Sequence, residues 1–182
     1  GGSVNNCYSL GSATVIGMDS FGMVGGLVGI VRTNTNLTNS YSKSNVYSEK
    51  SGNARIGGLV GAIWQGGVIS RSYSTGNVEG PGNYLGGLVG ENYYGDVSNC
   101  YSTSNVIGDL SGDYNYVGGL IGLARSGTVY SSYFSGTVVG DNYVGGLVGY
   151  NNNVIVSESY FSGNLTGNNY VGGIVGEQNL GS

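Results

Sequence analysis

One five-residue string constrains this chain more than any other feature. GGLVG begins at Gly25, Gly57 and Gly86, returns as GGLIG at Gly118, as GGLVG at Gly145 and as GGIVG at Gly172. The markers occupy 25–29, 57–61, 86–90, 118–122, 145–149 and 172–176, at intervals of 32, 29, 32, 27 and 27 residues. A tyrosine runs in step with them: Tyr8, Tyr41, Tyr73, Tyr101, Tyr133 and Tyr160. The residue before each is Cys or Ser: Cys7, Ser40, Ser72, Cys100, Ser132, Ser159. Apolar residues stand four positions before it (Val4, Leu37, Ile69, Val97, Val129, Val156) and five after (Ala13, Val46, Val78, Val106, Val138, Leu165). Six copies in register mark a repeat architecture. Residues 1–182 read as a single repeat domain, a segment of a longer chain.

The unit is too glycine-rich for helix. Thirty-eight of 182 residues are Gly, and Val, Ile, Thr, Tyr, Ser and Asn dominate the rest. No i, i+3, i+4 apolar pattern holds over ten residues. Short strands bounded by Gly and Asn fit better. Three per unit are expected: one through GGLVG, one through the Tyr segment and one through the SGTVVG-like segment. A 27-residue unit cannot bury its own apolar face, but stacked units can. The expected fold is all-β, a parallel β-solenoid (β-helix) of about six rungs, roughly 29 Å long at 4.8 Å per rung. Length differences fall between the Tyr segment and the next GGLVG, as in 108–116, and between GGLVG and the next Tyr. Loops absorb such changes, whereas ladder strands do not.

Composition excludes several functions. There is no histidine, so His-based triads, His general bases and His-ligated zinc are absent. The net charge is −4, which gives no basic surface for nucleic acid. No run of about 18 apolar residues exists to cross a membrane. The opening GGSVNNCYS lacks a basic start and an apolar stretch, so it reads as no signal peptide. A mature secreted chain or an internal segment would look the same. GGLVG as a phosphate-cradling loop is outweighed, because it lacks the Walker Lys and a following helix and occurs six times.

The GGLVG, GGLIG and GGIVG strings, with their V-x-x-S-Y-S-x-G-x-V company, resemble the GLUG repeat along nearly the whole chain. The resemblance implies large secreted or surface-attached bacterial proteins, including adhesin-like proteins and regions of IgA-specific metallopeptidases. It carries no activity. The zinc chemistry of such peptidases belongs to a separate HExxH domain, and this chain has no His.

Equivalent positions form columns in a solenoid. The Leu and Val of GGLVG are neighbours yet both apolar, so the strand is expected to bend at the Gly pair, with glycine supplying permissive φ. The Tyr column has two readings: an inward aromatic ladder, preferred for its packing energy, or an exposed strip that stacks on sugar rings. Trp64, Tyr93, Tyr94, Tyr114 and Tyr150 fall outside the shared pattern, in apparent turns, and are the candidate ligand contacts. Single exposed aromatics are also ordinary.

No carboxylate column forms. Asp109 and Asp113 share an insertion but lack a calcium-loop motif. Glu79 with Asp109 is the best carboxylate pair and a weak one. Cys7 and Cys100 occupy one slot three rungs apart, about 14 Å, beyond disulfide reach. Two free, buried thiols are expected. Neither end carries an obvious polar cap, so continuation of the chain or end-to-end association is expected.

The functional expectation is a non-catalytic extracellular stalk, presentation scaffold or adhesion module of a bacterial surface protein, secreted or attached to the cell surface. It has no catalytic residue, cofactor or metal. The partners expected are neighbouring domains of the same chain, with a host glycan or protein as a further partner. Nucleic acid and membrane insertion are not expected. The alternatives are a carbohydrate- or host-protein-binding module using exposed Tyr and Trp, and an accessory region of a secreted protease or glycan-degrading enzyme.

Overall fold

The computed structural model describes residues 2–16, 22–49, 52–110 and 115–179. They form an all-β parallel solenoid, with no helix among the described residues. One rung shows the plan. Gly82–Gly86 lies in what we call the corner sheet, Val89–Ser98 in the long sheet, Tyr101–Ser102 in the tyrosine sheet and Asn105–Gly108 in the valine sheet. The corner, tyrosine and valine sheets are each six strands deep. Every pairing is parallel and joins repeat-equivalent residues, as in Tyr73↔Tyr101↔Tyr133 and Val78↔Val106↔Val138.

Each rung has four faces, where three strands were expected. The GGLVG string is divided between two of them. The corner strand ends on the first Gly, the chain bends through the second Gly and the Leu, and the long strand resumes at the Val. The bend does not interrupt axial bonding. Leu59 and Val60 N–H both donate to the Leu88 carbonyl, at 3.0 and 2.9 Å. The same forked bond recurs from Leu27/Val28, Leu88/Val89, Leu120/Ile121 and Leu147/Val148. A carbonyl has two lone pairs and accepts both. Leu59, Leu88, Leu120 and Leu147 are therefore buried together with Val60, Val89, Ile121 and Val148.

Glycine makes this bend for a reason other than positive φ. None of the GGLVG glycines has φ in the left-handed region. They are required by close approach. A Cβ on Gly86 would overlap the Val89 carbonyl across the bend. On Gly87 it would overlap the Gly119 carbonyl and lie 2.6 Å from Ser102 Oγ. On Gly90 it would lie 2.5 Å from Ile56 N and 2.7 Å from the Gly61 carbonyl. The corner strand of one rung thus touches the long strand of the next, backbone to backbone.

The left-handed region is used at another corner, by other residues. Asn6, Asn39, Arg71, Asn99, Ser131 and Glu158, all two positions before the column tyrosine, have φ between 45° and 55°. Asn tolerates this conformation best, which suits its three appearances. After this one-residue corner, alternation is strict. In one rung Cys100, Ser102, Ser104, Val106 and Gly108 point inward, while Thr103, Asn105 and Ile107 are exposed. The inner wall beneath the tyrosines is lined with hydroxyls. Ser40 N–H donates to Ser72 Oγ at 3.1 Å, and Ser72 Oγ donates to the Ser70 carbonyl at 2.8 Å. Ser132 repeats the pattern, accepting from Cys100 N–H at 3.1 Å and donating to the Tyr130 carbonyl at 2.9 Å. Each serine thereby satisfies backbone groups freed by the corner.

The one-residue difference between GGLVG and the next Tyr also has a visible result. Where the spacing is longer, the long strand breaks into Val28–Val31 and Thr35–Thr38, and into Val60–Trp64 and Val68–Ser70. Where it is shorter, one ten-residue strand runs through, as in Ile121–Tyr130.

The close-approach account makes a paired prediction. Gly87→Ala should lower stability by about 2–3 kcal/mol, an overpacking cost against fixed backbone. Gly173→Ala, at the same motif position but with nothing within 4 Å of its Cβ, should stay within about 0.5 kcal/mol of the parent. Urea unfolding of both variants checks this; equal effects would remove the steric explanation.

Candidate functional site

Because Gly90 rests on the Arg55–Ile56 backbone, the corner and long sheets meet at an inside angle. Their outward columns therefore face one another across a groove along the solenoid axis. The corner-sheet column runs Met23, Arg55, Tyr84, Tyr116 by register and on to Tyr143 and Tyr170 by ring contact. The long-sheet column runs Ile30, Ala62, Glu91, Leu123, Tyr150, Glu177. Toward the C-terminal rungs, aromatic rings fill the groove. Tyr116 lies 4.8 Å from Tyr143 and 5.1 Å from Tyr150, and Tyr143 meets Tyr150 edge-on at 5.7 Å. Burial, then the neighbouring phenols of Tyr143, Tyr84 and Tyr150, push the Tyr116 hydroxyl up to about 12.

Toward the N-terminal rungs the tyrosine column gives way to Arg55, and the groove opens. Arg55 Nε donates to Glu91 Oε2 at 2.9 Å, with both side chains almost wholly buried. Trp64 Nε1 donates to the same oxygen at 3.1 Å. The Arg55 guanidinium also lies 5.1 Å from the Tyr84 ring centre and bonds the Asn53 carbonyl at 2.6 Å. Beside this cluster is a hollow of about 330 Å³, lined by Arg55, Trp64, Gln65, Glu91, Tyr93 and Arg125. Its outer wall is one column of the long sheet, in which Trp64 pairs with Tyr93 and Tyr93 with Arg125.

The six-tyrosine column forms the second aromatic feature. Tyr8, Tyr41, Tyr73, Tyr101, Tyr133 and Tyr160 stack at 5.2, 4.9, 4.6, 5.0 and 4.9 Å, all within 8° of parallel. It faces outward, which corrects the inward preference. The left-handed residue two positions earlier turns the small Cys or Ser inward, so the tyrosine one step later must face out. Stacked rings cover one another's faces. Only their edges and hydroxyls meet solvent, apart from the outer faces of the end rings Tyr8 and Tyr160.

Among the candidate contacts, Trp64 and Tyr93 line the hollow and Tyr150 belongs to the aromatic fill. Tyr94 is exposed, with φ of 62°, and meets Tyr93 edge-on at 4.6 Å. Tyr114 lies outside the described residues. The four described aromatics stand on long-sheet strands rather than in turns. Arg55, Glu91, Arg125, Tyr116 and Tyr143 were not singled out by sequence. The signal was available for Arg55: it sits two residues before GGLVG, where later units carry Tyr84, Tyr116, Tyr143 and Tyr170.

Glu79 and Asp109 border a separate hollow of about 280 Å³ with Tyr47, Pro81 and Ile107. Asp113 lies outside the described residues. Among the described residues, no group of three or more His, Cys, Asp or Glu could hold a metal ion. Both cysteines are free, but only Cys100 is buried. Cys7 corrects the expectation of two buried thiols: it lies on the first described rung, so one side of its slot is open. Burial pushes the Cys100 thiol up to about 12.

Two outcomes follow. A thiolate-selective reagent should label Cys7 in the native protein and reach Cys100 only on unfolding; two equally reactive native thiols would contradict the buried slot. Alkaline unfolding tests the tyrosines. A phenol whose folded value is raised favours the fold fully below the unfolded value near 10, and that contribution is lost as pH rises toward 12. Tyr101 is raised too, by burial and then by Tyr73 and Tyr133. Tyr116→Phe should flatten the stability loss between about pH 10 and 12, read by thermal melts against pH. An unchanged slope would place the sensitivity elsewhere.

A family model described as the GLUG motif matches three segments, 52–79, 81–107 and 113–139. Searches of curated proteins and of solved structures each returned no match. The described residues of the matched segments follow the rung of the structure: each segment passes the corner sheet, the GGxxG bend and the tyrosine, and ends in the valine sheet. Three segments of this chain therefore match the GLUG motif, and the described residues of those segments fold as successive rungs of a parallel β-solenoid.

Proposed function

We propose that this chain is a non-catalytic, extracellular repeat module that serves as a stalk or presentation scaffold of a bacterial surface protein. The observation that carries the reading is axial continuity. Backbone ladders, forked bonds at the bend, inner serines and stacked tyrosines all run along one direction. Each rung adds about 4.8 Å and contacts only its neighbours, so length is set by repeat number. Tyrosine pairs contribute about 0.5–1.5 kcal/mol each beyond area burial, which favours structural work for that face. The resemblance to repeats of surface-attached bacterial proteins supports the extracellular setting.

The test is location and accessibility in the producing cell. An epitope placed at exposed Asn153 should be labelled by antibody on intact cells and removed by external protease. An epitope reached only after lysis would overturn the extracellular reading.

A further inference from the structure

We infer that the hollow at Trp64 is a binding site for a carboxylated sugar, one unit of an acidic polysaccharide lying along the groove. The argument begins with charge. The chain has four arginines, Arg32, Arg55, Arg71 and Arg125, and a net charge of −4. Three of the four gather here. Arg55 and Arg125 line the hollow, and the Arg32 guanidinium lies 5.3 Å from the Trp64 ring centre. Glu91 offsets Arg55 in the one ion pair among the described residues. Arg32 and Arg125 are exposed and make no ion pair among the described residues. A chain that is anionic overall therefore carries a local cationic excess, and it falls on the two aromatic residues of the hollow.

The order of groups along the axis gives the ligand its shape. Trp64 pairs with Tyr93, and Tyr93 with Arg125, each one strand spacing of about 4.8 Å apart. Arg32 stands on the other side of Trp64, one residue beyond the pair Ile63↔Val31. The column thus reads cation, aromatic, aromatic, cation over about 14 Å. The rings offer flat apolar surface to the C–H face of a pyranose. The guanidiniums offer planar paired donors to carboxylates. Glu91 and Gln65 supply polar groups for ring hydroxyls. Glu91 is held in place by Arg55 and by the Trp64 indole at 3.1 Å, so it is oriented before any ligand arrives. A volume of about 330 Å³ is at the small end of ligand pockets and suits one sugar unit. An acidic peptide would use the guanidiniums but leave the hydroxyl-directed groups without partners.

Trp64 is the only tryptophan in the chain, so its fluorescence reads this hollow directly. The probes are short oligosaccharides of galacturonate, of mannuronate and of a glucuronate-containing glycosaminoglycan. The controls are methyl-esterified oligogalacturonate and an oligoglutamate peptide of similar charge. At least one acidic oligosaccharide should perturb Trp64 saturably, with its neutral or peptide counterpart about tenfold weaker or more. Arg125→Gln should weaken binding by about tenfold. Arg71→Gln, which removes only the surface bond to Asn39 at 2.8 Å, should leave it unchanged. Trp64→Phe, followed by calorimetry, should weaken binding in a protein that still melts cooperatively. The inference is overturned if no acidic oligosaccharide saturates the signal. It is equally overturned if the ester or the peptide binds as well, or if Arg71→Gln and Arg125→Gln act alike.

Discussion

The rest of the molecule depends on a contact that only glycine permits. At the GGxxG bends that end on Gly61, Gly90, Gly122, Gly149 and Gly176, the backbone of the long strand lies directly on the backbone of a neighbouring corner strand. Gly90 illustrates it, with room for no more than a hydrogen between its Cα and Ile56 N. Three consequences follow from that contact. The bend carries both the Leu and the Val into one core. It keeps axial hydrogen bonds unbroken through the turn, since one carbonyl serves two amides. It also makes the junction of two sheets an inside angle, and thereby creates a groove that a convex corner would not have.

The opposite side of the solenoid solves a different problem. A one-residue corner in the left-handed region leaves backbone groups unpaired on the inside, and small hydroxyls answer them. This explains why the slot before each tyrosine holds Ser or Cys rather than Val. Cys100 makes the substitution intelligible, because its sulfur reaches the Ser98 carbonyl at 3.2 Å, the partner a serine hydroxyl would take. The polar inner column in turn dictates the outward tyrosine. Large rings are forced to the surface by strand alternation, and stacking recovers part of what burial would have contributed.

Much of this was legible in the residues. The register, the parallel stacking and a bend at the Gly pair all follow from six aligned copies of one pattern. The orientation of Tyr101 did not follow, because it turns on whether the corner sits at Asn99 or at Cys100. Position 99 varies among Asn, Arg, Ser and Glu across the units, which hides its shared conformation. The reason for glycine was also misjudged: permissive φ and close approach leave the same letter in the sequence, and only the neighbouring strands distinguish them. A fourth face went unseen because the corner strand is as short as two residues in the later rungs. For the groove, Trp64, Tyr93 and Tyr150 stood out as departures from the pattern. Arg55, Glu91 and Arg125 did not, since their grouping depends on an inside angle that strand periodicity alone does not reveal.

The two kinds of position therefore do different physical work. Where a column repeats one side chain, each rung stacks on the next and the gain is stiffness along the axis. Where a column changes, the groove changes with it. In the later rungs Tyr116, Tyr143 and Tyr150 close over one another and leave little space. Two rungs earlier the same column holds Arg55, whose charge cannot be buried without a partner. Glu91 supplies that partner from the facing sheet, and its carboxylate then fixes the Trp64 indole. One substitution in a ladder of rings thus converts a packed seam into a polar hollow with an oriented acid, an aromatic wall and exposed cations at its rim. A repeat scaffold can acquire a site in this way without any loop insertion, because the side chains facing its groove are not those that hold its rungs together.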